Sequence, residues 1–275
     1  MKSISDYYDG KDRFPKGSIK ISPSSLGKFF SQTSQWYRET LLGEDGFQGS
    51  TATILGTIVH FAAETRKIPS EAMVLEYISK QKCEYDLMEI LDNYVPMCEV
   101  IITNIMDSYP KETIIREEEF INIHLKDIVH VGGTYDAIYE TTEYVDENGE
   151  VHTGNFTVLR DYKTAAQKPS YGFTRDYSTQ LLTYVCILKE LGITIDAIEL
   201  KYITKPTKTL PARIFTFVRP VTIENLEYID SVLELVANSI LSFIEYPHLR
   251  GVIAQDGRLT NTQCKYTTLK DEEEI

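Results

Sequence analysis

Near Thr113 the apolar residues of this chain change their period, and the folds open to it narrow to a run of helices followed by a sheet. Before that point the repeats are helical. Ser22 and Pro23 supply an N-cap and a first helical residue for a stripe of Leu26, Phe29, Phe30, Trp36 and Tyr37. Gly43 to Gly49 reads as a loop, and Thr53 to Glu64 as a second helix running toward Arg66. Ser70 can cap a third over Glu71 to Lys80, and more helix follows to about Tyr109 with a kink or break expected at Pro96. From Thr113 onward Ile115, Ile121, Ile123 and Leu125 alternate with polar neighbours, the pattern of a half-buried strand. A turn near Lys126-Asp127 precedes a strand over Val129 to Tyr139. Asp146-Glu147-Asn148-Gly149 marks a hairpin turn between Tyr144-Val145 and Val151-His152, and Asn155 to Lys163 is a further strand. A helix over Arg175 to Leu191, strands over Ile195 to Thr204 and Arg213 to Val218, and a long helix capped by Thr222 complete the pattern, which fades beyond Pro247. The expected fold is one α/β domain over residues 1–250, mainly helical in 1–110, with a central mixed β-sheet and flanking helices in 111–250 and a tail at 251–275.

With 275 residues, 42% of them hydrophobic and 25% charged, a core of ordinary size is within reach. No run of about 18 apolar residues occurs, and Met1-Lys2-Ser3-Ile4-Ser5-Asp6 lacks the apolar stretch of a signal peptide, so a cytoplasmic protein with no membrane partner is expected. Cys83, Cys98, Cys186 and Cys264 are scattered without a C-x-x-C pair, which points to packing thiols and away from a disulfide framework or a zinc knuckle. The net charge of −13 argues against a protein that coats nucleic acid, yet leaves room for an enzyme whose carboxylates are neutralised by bound cations. Part of that excess sits in Asp271-Glu272-Glu273-Glu274, a solvated tail.

Three segments that can carry chemistry follow one another: Gly133-Thr134-Tyr135-Asp136, Asp161-Tyr162-Lys163 and Gln180-Leu181-Leu182-Thr183-Tyr184. Asp161 and Lys163, two apart on a strand, project to one face, about 7 Å apart along the backbone. Asp136 adds a second carboxylate if its strand is a neighbour. Two hard oxygen donors with water completing the shell suit Mg²⁺ or Mn²⁺. For the tripeptide alone the plainer reading is an exposed ion pair at a strand end, and Asp9-Gly10-Lys11 shows how readily the spacing arises. Asp196-Ala197-Ile198-Glu199-Leu200-Lys201 offers similar groups but lacks an upstream carboxylate strand and a downstream polar helix, and reads as an ordinary strand with a solvated face. Gln180 and Tyr184, four apart, share a helical face from which an amide and a phenol can reach a phosphate or order a water, or simply edge the helix half-buried. His60, on an apolar helix, is by itself a core histidine.

Taken in order, Leu26-x-x-Phe29 with Trp36, Gly56-x-x-x-His60, the acidic stretch Glu117-Glu118-Glu119, Gly133-x-x-Asp136, Asp161-x-Lys163 and Gln180-x-x-x-Tyr184 resemble the RecB-like branch of the PD-(D/E)XK nuclease superfamily, over about Ser22 to Tyr184. The resemblance implies a restriction-endonuclease-like core in which His60, Asp136 and Asp161 bind a metal and Lys163 positions and helps activate water. It implies further that one glutamate of the acidic stretch, Glu117 by preference, serves the site, and that Gln180 and Tyr184 contact the DNA backbone or support the site. Relatives with an iron–sulfur cluster carry Cys-Pro after the opening helix motif. Here Gln32-Thr33 stands in that place and only Cys264 lies beyond the catalytic core, so no iron–sulfur cluster is expected.

By the same resemblance the expected activity is that of a Mg²⁺- or Mn²⁺-dependent deoxyribonuclease. The expected type is a stand-alone exonuclease like those of phage recombination and mitochondrial genome maintenance. It would hydrolyse phosphodiester bonds of DNA with a free end in recombination, repair or replication, in the cytoplasm of a bacterial or phage-infected cell. A recombination or single-strand-binding protein is the implied protein partner. Lys168, Tyr171, Arg175, Lys205 and Lys208 are candidates for the DNA track. Two alternatives stand beside this reading: a structure-specific endonuclease, and a nuclease-fold binding or regulatory module that presents an acidic surface.

Overall fold

The computed structural model describes residues 14–42 and 49–246, together with Ile4. Asp9-Gly10-Lys11, residues 43–48 of the expected loop, His248, Cys264 and the 251–275 tail lie outside the described residues. After a 3₁₀ turn at Pro23–Ser25 come α1 (Leu26–Ser31) and α2 (Thr33–Thr40). The single opening helix expected from the pattern is divided at Gln32, whose φ of −145° and ψ of 53° are not helical. Its apolar stripe is kept, with Phe29 and Trp36 edge to face at 5.0 Å. Ser22 makes no capping bond to the helix.

Side-chain caps set the other helix starts. Ser50, Ser70 and Thr174 accept the N–H groups of Thr53, Met73 and Tyr177 at the heads of α3 (Thr51–Thr65), α4 (Glu71–Ser79) and α6 (Arg175–Glu190). Asp86 does the same for α5 (Leu87–Ser108), and Thr222 closes a capping box with Asn225 at α7 (Ile223–Glu245). Pro96 lies inside α5 without ending it. The one helical bond that proline removes, costing about 3 kcal/mol, is outweighed by burying Tyr94, Met97, Cys98, Ile101 and Ile105 along one stripe.

The strands are β1 (Ile19–Ile21), β2 (Glu112–Lys126), β3 (Val129–Val145), β4 (Val151–Ala165), β5 (Ala197–Thr204) and β6 (Arg213–Pro220). They form one mixed sheet in the order β1-β3-β4-β5-β6, with β2 paired to the opposite edge of β3. The β1/β3 and β4/β5 pairs are parallel and the rest antiparallel. β1, with three residues, is too short to show a period, and the sequence pattern missed it. β3 and β4 run past their expected ends into one long hairpin. At its tip the Asp146 carboxylate accepts the N–H groups of Asn148 and Glu150.

Both faces of the sheet are covered. Leu159, Ile198 and Leu200 pack with Leu181, Val185 and Leu233 of α6 and α7, while Tyr162 and Ile203 pack on the other side with Ile58, Met97 and Ile101 of α3 and α5. The expectation of a solvated face on β5 is therefore overturned: Glu199 and Lys201 are each 2% exposed. A strand parallel to one neighbour and roofed on both sides has no solvent face to offer.

The β2/β3 pair sets the placement of the acidic stretch, and it is packed tightly at Gly132. A Cβ there would lie 2.5 Å from Asn122 Cβ and closer still to the Ile121 carbonyl oxygen. Gly132→Ala is expected to lower the unfolding free energy by about 1–3 kcal/mol in urea denaturation, the scale of overpacking strain. An unchanged midpoint would contradict this pairing.

Candidate active site

Strands β3 and β4 and helix α3 meet at the backbone of Tyr162. Its N–H donates to Asp136 Oδ2 at 2.6 Å, and its carbonyl oxygen lies 2.9 Å from His60 Nε2. A carbonyl can only accept, so Nε2 carries a proton, and Nδ1 faces Asp136 Oδ1 at 3.2 Å. Asp161 and Lys163 lie on the face opposite the Tyr162 ring, with Lys163 Nζ 2.6 Å from Asp161 Oδ2. From α6, Gln180 Nε2 reaches Asp161 Oδ1 at 3.4 Å, and the Tyr177 ring stands under the Lys163 ammonium at 5.1 Å. Tyr184 donates to the Thr134 carbonyl at 2.8 Å. It crosses Gly133 to do so; a Cβ at that glycine would lie 2.6 Å from the hydroxyl. Tyr184 is buried, so its place is behind the site, bracing β3. The sequence-predicted His60, Asp136, Asp161, Lys163, Gln180 and Tyr184 are thus brought together.

The acidic stretch enters differently from the expectation. Glu117 pairs across the sheet with Ala137 and Glu119 with Tyr135, which leaves Glu118 opposite Asp136. A ring nitrogen of His60, a carboxylate oxygen of Glu118 and one of Asp136 lie within 4.8 Å of one another. Glu117 instead pairs with Arg66, and Glu119 accepts from the Tyr135 hydroxyl at 2.7 Å and from Arg116 at 3.0 Å. The glutamate in the cluster is therefore Glu118, in place of Glu117. Side chains alternate across a strand, so the register with Asp136 selects the middle of the three. Glu118 has φ of +47° and Arg66, capping α3, has φ of +55°, both unusual for residues with side chains. Arg66 carried no sequence signal, because a left-handed helix cap usually announces itself by glycine.

The charges in this group compete for protons. Burial opposes charge on His60, but the field and hydrogen bond of Asp136, aided by Glu118 and Asp161, raise it to about 9. Burial and the neighbouring Asp136 raise Glu118 to about 9 as well. Burial raises Asp161, Asp136 adds to this, and Lys163 opposes it. Asp136 is held down despite its burial, chiefly by His60, then by Lys163 and the Tyr162 N–H. Lys163 is raised against its burial by Asp161 and Asp136. Three buried or half-buried carboxylates facing one lysine and one imidazole are short of positive charge. Their oxygens, together with His60 Nδ1 once its proton is displaced, make a donor set that fits a divalent cation, which would relieve that shortage.

No family model matches this sequence, and no curated protein sequence matches it. Among solved structures the chain is similar to a candidate exonuclease from Eubacterium rectale, with a TM-score of 0.50 and 17% identity over 92% of this chain and 90% of that one. It is also similar to LHK-Exo in complex with dAMP, with a TM-score of 0.36 and 12% identity over 74% of this chain and 96% of that one. The first likeness is one of fold: a mixed sheet flanked by helices, the α/β class that the sequence led us to expect.

Glu118 and Glu117 can be told apart by metal-dependent stability. Mn²⁺ at about 100 times its dissociation constant should add about 2.7 kcal/mol to the folded state. Glu118→Gln should shrink that gain, while Glu117→Gln should leave most of it, as read by melting temperature with and without Mn²⁺. The reverse order would return the role to Glu117.

Proposed function

We propose that this protein is a metal-dependent nuclease acting on DNA, and more narrowly a RecB-like exonuclease that uses Mg²⁺ or Mn²⁺. The observation that carries the reading is the convergence of Glu118, Asp136, His60, Asp161 and Lys163 around the backbone of one residue, Tyr162. The exonuclease description of the Eubacterium rectale structure supports it.

In this reading Glu118, Asp136 and His60 hold the cation, with Asp161 on the same side of β4 as Lys163. When bound, such a cation neutralises charge on a phosphate and makes water a better nucleophile at neutral pH. Lys163 is 20% exposed and tethered by Asp161, so its ammonium can orient an attacking water or meet the charge that develops on the phosphate. Gln180 fixes the second oxygen of Asp161, and Tyr184 fixes the β3 backbone two residues before Asp136. With a net charge of −13, attraction for DNA has to be local. Lys168 and the 79% exposed Tyr171 sit on the connection between β4 and α6, and Arg175 opens α6. Lys205 is taken up by Glu89 and is a weaker candidate. A role in recombination, repair or replication on DNA with a free end belongs to the same proposal.

End-labelled linear DNA and covalently closed circles, incubated with Mg²⁺ or Mn²⁺, test this directly. Linear DNA should be degraded and circles spared, and Lys163→Ala or Asp161→Ala should lower kcat by roughly 10²- to 10⁴-fold. Cleaved circles would turn the reading toward an endonuclease, and undiminished activity in both variants would remove this site from the chemistry.

A further inference from the structure

On the reverse face of β4 from Asp161 lies a second group of charges that the chemistry above does not use. Arg160, fully buried, bonds Glu199 of β5 through Nε and Glu112 of β2 through Nη2. Its guanidinium stacks over the Tyr139 ring of β3 at 4.1 Å, and the Tyr139 hydroxyl donates to Glu199 Oε2 at 2.8 Å. Lys201 of β5 donates to Asn104 of α5 at 2.9 Å and lies 3.6 Å from Glu112 and 3.8 Å from Glu199. Two cations thus face two carboxylates. One guanidinium fork ties β2 to β5 and rests on β3 between them.

We propose that this buried cluster, centred on Arg160, is a positioning device for the candidate active site: it fixes β2, β3 and β4 relative to one another, and so sets where Glu118, Asp136 and Asp161 converge. The proposal rests on the nuclease reading. Arg160 adjoins Asp161 in the chain and pairs with Ala137, the neighbour of Asp136, across β3/β4, and with Glu199 across β4/β5. A shift of β4 that broke the cluster would therefore also move the Tyr162 N–H and carbonyl that Asp136 and His60 hold. Stability alone does not account for such a group. Buried ion pairs give up so much hydration that apolar residues of similar volume commonly replace them at no loss of stability, whereas a guanidinium fork specifies register as aliphatic packing cannot. These are positioning residues; none of them meets the cation or the substrate. The motif Glu199-x-Lys201, which resembles Asp161-x-Lys163 in sequence, thereby finds a place on the other side of the same sheet.

The test is the apolar variant Arg160→Met/Glu199→Leu/Lys201→Met/Glu112→Leu/Tyr139→Phe beside the unaltered protein. We expect a melting temperature at or above the parent's. Mn²⁺ affinity by calorimetry should be weakened about 10- to 100-fold, as for other residues that orient metal ligands, and kcat should fall with little change in KM for DNA. Amide exchange at Tyr162, followed without metal, should be faster. Parental Mn²⁺ affinity, kcat and Tyr162 exchange together would overturn the proposal. If the variant does not fold, Arg160→Lys keeps the charge and loses the fork; the same signature is then expected of it, and parental behaviour on all three counts overturns the proposal equally. A parent that neither binds Mn²⁺ nor cleaves DNA would sink the nuclease reading, and the metal-free exchange would still decide whether the cluster holds Tyr162 in place. A parent that does both, next to a variant that does so equally well with unchanged exchange, would sink only this inference.

Discussion

The two hydrogen bonds of the Tyr162 backbone hold the rest of the site together. Its N–H secures a carboxylate from β3 and its carbonyl secures an imidazole from α3, so two groups distant in sequence are aligned by one residue of β4, whose two flanking peptide groups are fixed by the sheet. Backbone groups on an interior strand move less than side chains do. A carboxylate and an imidazole bound to one are held without needing to be anchored to each other first. Asp161 and Lys163 flank that residue in the chain, and Glu118 comes in by register with Asp136. The site is in effect a short length of β4 with partners clipped to it from both sides.

The sheet makes this affordable by being covered on both faces. The α6/α7 side carries Gln180 and Tyr184 against β4 and β3, and the α3/α5 side carries His60. Helices packed this closely exclude water from most of the carboxylates, and the upward shifts of Glu118 and Asp161 follow from that burial and from their shared neighbour Asp136. An overall charge of −13 and a candidate site short of positive charge are consistent with each other, because in the proposed reading the charge that meets a phosphate is supplied at a point and not over a surface.

Much of this was legible in the sequence. Helical and strand periods located nearly every element, because amphipathic faces leave a period in the order of residues. The Asp136, Asp161, Lys163, Gln180 and Tyr184 set could be picked out because its members lie on two strands joined by a hairpin and on the helix that follows the second. Three things were hidden for physical reasons. Which of Glu117, Glu118 and Glu119 faces inward depends on strand register, a pairing between segments that no single segment encodes. The burial of Glu199 and Lys201 depends on β5 lying inside the sheet, where charges on one strand are met by Arg160 and Glu112 from two others. The break at Gln32 falls within a helical pattern that is continuous in the sequence, and the Phe29–Trp36 contact is made across it, a tertiary arrangement that no local period encodes.

The central claim is that Glu118, Asp136 and His60 hold one cation, with Asp161 beside them. Its most direct test is an anomalous difference map from crystals grown with Mn²⁺. The account predicts a manganese peak within coordination distance of the Asp136 carboxylate and of at least one of Glu118, Asp161 and His60 Nδ1. A peak elsewhere in the molecule, or none at this cluster at saturating Mn²⁺, would contradict it.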